Sequence, residues 1–178
     1  MAKRLYPILT PQVISKRVAE LGGEISCAYA GKDLLIVGVL KGSFMFVADL
    51  VRALTIPAQI DFVRLSSYGA NDSPGEIVFT QRLELSPKGK HLLVVEDIVD
   101  TGHSMERLLE SLAGLGAESV RLCALIDKEE RRAAKVTVDF SGFKLAQGFV
   151  VGYGLDFAED YRCLSGVFEL SKMRSPQS

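Results

Sequence analysis

No apolar stretch in this 178-residue chain is long enough to cross a bilayer. The longest run, Leu34 to Leu40, is closed off by Asp33 and Lys41, whereas a membrane helix needs about 20 apolar residues. The basic start Met1-Ala2-Lys3-Arg4 is not followed by the apolar core of a signal sequence. The glycosylation triplet Asn71-Asp72-Ser73 therefore carries no weight. Cysteine is scarce: Cys27, Cys123 and Cys163 are odd in number, far apart and without a CxxC pair, and there are only two histidines. A disulfide framework and a zinc cluster are both excluded, and the expectation is reduced, buried thiols in a cytoplasmic protein. Neither sign of charge is in excess, with 21 basic against 22 acidic side chains. Coating nucleic acid or anionic lipid is thus not the main role, and neither nucleic acid nor membrane is expected as a partner. No GxxxxGK[ST] loop occurs, which excludes a P-loop hydrolase. The balanced charge and 48% apolar content exclude disorder, and the length suits one domain over 1–178.

What is present is an alternation of strand-like and helix-like segments. Thr10-Pro11 supplies a capping hydroxyl and then a proline at a helix start. Val13, Ile14, Val18 and Leu21 recur at helical spacing until Gly22-Gly23, which reads as a stop. Leu34 to Leu40 is a continuous apolar run of the kind buried on both faces of a parallel sheet. Gly42-Ser43 leads into a second helix through Leu54. Further strands are predicted over 60–65, 91–95, 120–126, 136–138 and 149–152, with a helix over 104–115. The pattern predicts an α/β fold, a mainly parallel twisted sheet flanked by helices. In such sheets ligands collect beyond the carboxyl ends of the strands. Residues 66–75, crowded with turn formers, read as a flexible loop or lid, and 175–178 as a frayed tail.

Chemistry concentrates between Leu92 and Met105. A strand predicted to end at Val95 runs into Glu96 and Asp97, then Asp100, then Thr101-Gly102-His103-Ser104 at a helix start. The Thr101 and Ser104 hydroxyls, with backbone amides freed by Gly102 and the helix end, make a cup for a phosphate dianion. Glu96 and Asp97 are placed to accept sugar hydroxyls, directly or through a hard cation. Asp100 lies between these zones, where a proton can be handled at the bond being made. Helix capping alone accounts for Thr101 but not for three carboxylates beside it.

The stretch Val94-Val95-Glu96-Asp97-Ile98-Val99-Asp100-Thr101-Gly102 resembles the phosphoribosyl-diphosphate signature of the type I phosphoribosyltransferases. Four more segments, in the right order, resemble the bacterial-type hypoxanthine(-guanine) branch. Val39-Leu40-Lys41-Gly42-Ser43 is similar to its pyrophosphate loop and Ser66-Ser67-Tyr68-Gly69 to its flexible loop. Leu125-Ile126-Asp127-Lys128 is similar to its purine-reading segment, and residues 149–156 with Arg162 to its C-terminal hood. The likeness runs from about Leu5 to Leu170. It implies the type I phosphoribosyltransferase fold, with a small hood built from N- and C-terminal segments, and a homodimer or homotetramer. It also implies purine salvage: transfer of 5-phosphoribosyl from 5-phospho-α-D-ribose 1-diphosphate to a 6-oxopurine, hypoxanthine or guanine, with Mg2+. Two alternatives share the resemblance, a xanthine/guanine-preferring transferase and a pyrimidine-nucleotide-sensing RNA-binding regulator. The regulator would need a basic face.

Residue by residue, the resemblance implies Asp100 as the catalytic group and Glu96 and Asp97 on the ribose. It implies residues 100–104 (Asp100, Thr101, Gly102, His103, Ser104) on the 5′-phosphate. Leu40, Lys41, Gly42 and Arg162 fall on pyrophosphate, Leu40-Lys41 as a cis peptide. Ser67 and Tyr68 fall in the flexible loop, Lys128, Phe149 and Val150 on the purine, and Glu96, Asp97 and Asp156 on the metal. Local context offers plainer readings for some. Lys41 and Lys128 could be solvated charges, the latter within Asp-Lys-Glu-Glu-Arg-Arg, and Phe149 a core aromatic within Gly-Phe-Val-Val-Gly. His103 adds attraction for phosphate only when protonated, near pH 6–7.

Overall fold

The computed structural model describes residues 3–67, 77–146 and 148–172. Strands β2 (Leu34–Leu40), β3 (Gln59–Ser67), β4 (Ile77–Gln81), β5 (His91–Val99), β6 (Ser119–Asp127) and β7 (Phe140–Lys144) form one sheet, ordered β4-β3-β2-β5-β6-β7. All pairings are parallel except β3 with β4. The continuous apolar runs in β2, β5 and β6 are buried because helices cover both faces. Helices α1 (Pro11–Ala28) and α2 (Phe44–Ala53) pack one face through Ile14, Val18, Leu21, Ile25, Phe46 and Leu50. Helix α3 (His103–Ala113) packs the other through Met105, Leu108 and Leu112. From β2 the chain moves outward to β3 on one side, and from β5 to β6 on the other. The crevice beyond the carboxyl ends of β2 and β5 is therefore the topological switch point of the sheet. Among the described residues no helix is long and apolar enough to cross a membrane.

A second, three-stranded sheet joins β1 (Lys3–Leu9), β9 (Val167–Lys172) and β8 (Val150–Val151) in the order β1-β9-β8. Neither β1 nor β9 is evident from local sequence, nor is β4.

Four local expectations are corrected. Helix α1 does not stop at Gly22-Gly23 but continues to Ala28, because Gly22 is where α1 meets α2: a Cβ there would lie 2.6 Å from the Ala53 carbonyl oxygen. Residues 136–138 form no strand. The chain instead reaches β6 at Asp139, whose amide donates to Leu122 O, and pairs from Phe140 onward. Strand β5 does not end at Val95 but runs to Val99, carrying Glu96 and Asp97 inside the ladder. The three thiols are free, but only Cys123 is buried, while Cys27 and Cys163 are exposed.

The two helix glycines should respond oppositely to substitution. Gly22→Val forces α1 off α2 and is expected to cost at least about 2 kcal/mol, within the range for overpacking. A Cβ on Gly23 would meet no described atom within 4 Å beyond its chain neighbours and its own helix backbone, so Gly23→Ala should gain about 0.5–1 kcal/mol from helix propensity. Urea unfolding of the two variants checks the contrast, and equal shifts would contradict the close contact.

Candidate active site

Three chain segments converge at the switch point with almost no space between them. The Leu40–Lys41 peptide that ends β2 is cis. Beyond it, a Cβ on Gly42 would sit 1.7 Å from Asp97 Oδ2. A Cβ on Gly154, in the turn after β8, would sit 2.1 Å from the Gly42 carbonyl oxygen. The loop after β2, the acids of β5 and the turn 152–155 are thus stacked directly on one another. Only glycine fits at either contact.

Within β5, Leu93, Val95 and Ile98 pack on the α1–α2 side, and Leu92, Val94 and Val99 on the α3 side. Strict alternation slips between Val95 and Ile98, where the two acids lie. Their carboxyl groups hydrogen-bond to each other. Burial, and then the charge of Asp97, push the Glu96 carboxyl well above the usual range. Asp97 is raised as well by burial, an effect partly opposed by the hydrogen bond with Glu96. Glu96 Oε2 is enclosed with no hydrogen-bond partner among the described residues, and the Glu96 residue lines a cavity of about 200 Å³. A ligand hydroxyl there would satisfy it.

Asp100, Thr101, Gly102 and Ser104 line the same cavity. Gly102 has φ +87°, a left-handed conformation, and is followed directly by α3. The first helical hydrogen bond of α3 runs from Glu106 N to Gly102 O at 2.9 Å. The amides of the turn before Glu106 are the donors a helix leaves over at its start. The exposed Thr101 and Ser104 side chains stand beside them. From behind, Arg132 donates from Nε to the Asp100 carbonyl at 3.2 Å and from Nη1 to the Val136 carbonyl at 3.0 Å, and it pairs with Asp127. The Thr101 carbonyl accepts the amides of Ala133 and Ala134, each at 3.0 Å. The loop is braced at its back and open at its front.

Lys128 is not a solvated charge. It is only 3% exposed, donates to the Gly148 carbonyl at 2.7 Å and stands 3.6 Å from Asp100 Oδ2. Arg131 Nε approaches Asp100 Oδ1 at 3.2 Å without hydrogen-bond geometry. Phe149 is not a core aromatic. It is 51% exposed and meets the Phe157 ring edge-on at 5.5 Å between centroids. The Val150 side chain is buried in the core, which leaves only its backbone for a ligand.

Lys41 and Arg162 face each other across Glu159. Lys41 Nζ lies 3.0 Å and Arg162 Nη2 3.2 Å from Glu159 Oε2, and both cations hold the Glu159 carboxyl below its usual range. Arg162 also pairs with Asp156 Oδ1 at 2.8 Å and donates to the Gly154 carbonyl at 2.7 Å. The exposed His103 lies at the start of α3. Tyr68 lies outside the described residues, as does most of the 66–75 segment, while Ser67 is the last residue of β3. A larger cavity, about 470 Å³ and lined by Phe79, Leu83, Leu85 and Leu115 among others, shares no residue with this crevice.

Residues 8–158 match the phosphoribosyl transferase domain family. The hypoxanthine phosphoribosyltransferase of Haemophilus influenzae is 40% identical over 161 residues, 88% of this chain and 90% of that protein. The chain belongs to the phosphoribosyltransferase family. The hypoxanthine-guanine phosphoribosyltransferase of Mycobacterium avium is 41% identical over 174 residues, 90% of this chain and 86% of that protein. A crystal structure of a Staphylococcus aureus hypoxanthine phosphoribosyltransferase matches with a TM-score of 0.90 at 38% identity, over 93% of this chain and 90% of that one.

In this phosphoribosyltransferase two residues of the crevice escape sequence reasoning. Arg132 looks the same as its neighbour Arg131 within a charged run, yet its side chain is mostly buried and Arg131 is half exposed. Glu159 carries no motif signal. Its one local cue is the backbone: Ala158, Glu159 and Tyr161 all take positive φ, rare for residues with side chains.

Proposed function

We propose that this chain is a purine-salvage enzyme that transfers the 5-phosphoribosyl group of 5-phospho-α-D-ribose 1-diphosphate to hypoxanthine, and to guanine, giving IMP or GMP and diphosphate. The observation that carries the reading is Lys128, a buried ammonium bonded to the carbonyl just before the exposed Phe149 and standing near the Asp100 carboxylate. An ammonium offers only donors. It therefore suits a 6-oxo acceptor and disfavours the amino group of adenine, while Phe149 supplies a face for the base.

The reaction breaks the bond from the sugar carbon to diphosphate, whose oxygen keeps the electron pair, and forms a bond to a purine nitrogen. The amides and hydroxyls of residues 101–104 hold the 5′-phosphate at the start of α3. Glu96 and Asp97 accept from and orient the sugar hydroxyls. Asp100 accepts, or hydrogen-bonds, the proton leaving purine N7. An ordinary Asp, with a pKa of about 4, is a weak base, so orientation of the developing charge counts for more than complete proton abstraction. Lys41 and Arg162 bring positive charge to the leaving diphosphate.

The available protein donors near the crevice are carboxylate oxygens, the type a hard cation takes. Among the described residues, however, no three His, Cys, Asp or Glu side chains surround a common point. Magnesium fits as an ion held chiefly by substrate oxygens, with Asp156 and Asp97 assisting, and when bound it neutralises charge on the leaving diphosphate.

Lys128→Ala tests the assignment of the base. The ratio of kcat/KM for hypoxanthine to that for adenine should fall by about tenfold or more, the scale of one lost charged hydrogen bond. An unchanged ratio in a folded variant would remove Lys128 from base recognition.

A further inference from the structure

Glu159 Oε2 is the point where the two cations of the diphosphate subsite meet, at 3.0 Å from Lys41 Nζ and 3.2 Å from Arg162 Nη2. We propose that the Glu159 carboxylate is a built-in occupant of that subsite, which an incoming diphosphate group must displace and which returns as diphosphate leaves. The proposal rests on assigning Lys41 and Arg162 to the diphosphate.

Three observations support it. A single carboxylate oxygen accepts from both cations, the arrangement a bridging diphosphate oxygen would require. Arg162 is local to Glu159, but Lys41 comes from the loop after β2, 118 residues away, so the contact joins the two sides of the crevice. The backbone is also committed to it. Ala158 and Glu159 have φ +54° and +68°, a conformation that side chains disfavour. The Glu159 amide is in turn tied to Asp156 Oδ2 at 2.8 Å. An exposed surface ion pair needs no such arrangement.

With Glu159 and Asp156 opposite Lys41 and Arg162, and Asp97 against Gly42, the subsite carries no excess of positive charge before substrate arrives. Displacing Glu159, whose side chain is 64% exposed, frees Lys41 and leaves Arg162 held by Asp156 and the Gly154 carbonyl, at little cost in desolvation. The carboxylate thus lowers affinity for every diphosphate-bearing ligand. It also offers the product diphosphate a competitor for its own contacts, which favours release.

Titration of the full-length protein with inorganic diphosphate in magnesium chloride tests this. Glu159→Gln keeps the size and the backbone amide but removes the charge. It should bind diphosphate about three- to tenfold more tightly than the parent, the scale of losing two exposed ion pairs. Its KM for 5-phospho-α-D-ribose 1-diphosphate should fall in parallel, with the KM for hypoxanthine unchanged. Unchanged affinity would overturn the proposal. Weaker binding would also overturn it, making Glu159 a ligand and not a competitor. Lys41→Met separates the two levels of the argument. If it binds diphosphate as well as the parent, the diphosphate assignment fails; if it binds more weakly while Glu159→Gln is no tighter, only the displacement proposal fails.

Discussion

Gly102→Val is expected to weaken binding of ribose 5-phosphate by about a hundredfold or more, leaving binding of unphosphorylated ribose unchanged. Two independent costs add. Gly102 has φ +87°, a region that costs side-chain-bearing residues about 1–2 kcal/mol and β-branched ones more. A Cβ there would also lie 2.7 Å from Arg132 Cδ. The Arg132 side chain cannot swing clear without giving up its bonds to the Asp100 and Val136 carbonyls and its pairing with Asp127. Overpacking of this kind costs about 1–3 kcal/mol. The loop must then shift, and with it the amides that face the phosphate. Thr101→Ala removes one hydroxyl from an otherwise intact cup. Its effect should be smaller, about 1.5–3 kcal/mol for a hydrogen bond to a charged group at most. Calorimetric titration of the parent and both variants with the two sugars checks the order. Normal binding by Gly102→Val would reduce residues 101–104 to a helix cap.

Asp100→Asn is expected to lower kcat at least about tenfold, less than the roughly hundredfold or more of a full general base because orientation of the developing charge carries part of the role, with KM for hypoxanthine changed little. The substitution preserves shape and leaves an amide oxygen to accept from Lys128, which among the described residues otherwise has only the Gly148 carbonyl. Asp100→Ala leaves that buried ammonium with one acceptor and should also lose stability. Steady-state kinetics beside circular dichroism tells the two effects apart. Near-normal kcat in folded Asp100→Asn would exclude Asp100 from the proton transfer.

The parts of the molecule that sequence reveals are those whose cause is local. Strands β2, β5 and β6 announce themselves because a parallel sheet covered on both faces needs unbroken apolar runs. Thr10 caps α1 as its side chain predicts, accepting from Val13 N at 3.3 Å. The parts that stay hidden depend on distant partners. Lys3–Leu9 is a strand only because Val167–Lys172, at the other end of the chain, pairs with it. Gly22 looks like a stop because the α2 residue that requires it, Ala53, is remote in sequence. Strand β5 outruns the break at Glu96 and Asp97 because its ladder with β6 continues to Ile98 and Val99, which pack again on the two cores.

The crevice divides in the same way. The run from Glu96 to Ser104 is contiguous, so its spacing alone marks a candidate phosphate cup beside acids. Sequence cannot reveal that Glu96 and Asp97 hydrogen-bond to each other, since neighbours on a regular strand face opposite ways. The Arg132 brace and the Glu159 bridge arise only when the chain folds back on itself. Lys128 is intermediate: its motif singles it out, but its burial separates it from the charged run in which it is written.

The most direct measurement combines the purified protein, magnesium chloride and 5-phospho-α-D-ribose 1-diphosphate with hypoxanthine, guanine, xanthine, adenine or uracil in turn, and follows nucleotide and diphosphate together. The account predicts equal amounts of the two products with hypoxanthine, giving IMP, and with guanine, giving GMP, far less nucleotide with adenine and none with uracil. Nucleotide formed from adenine or uracil in preference to hypoxanthine, or diphosphate released without any nucleotide, would contradict it.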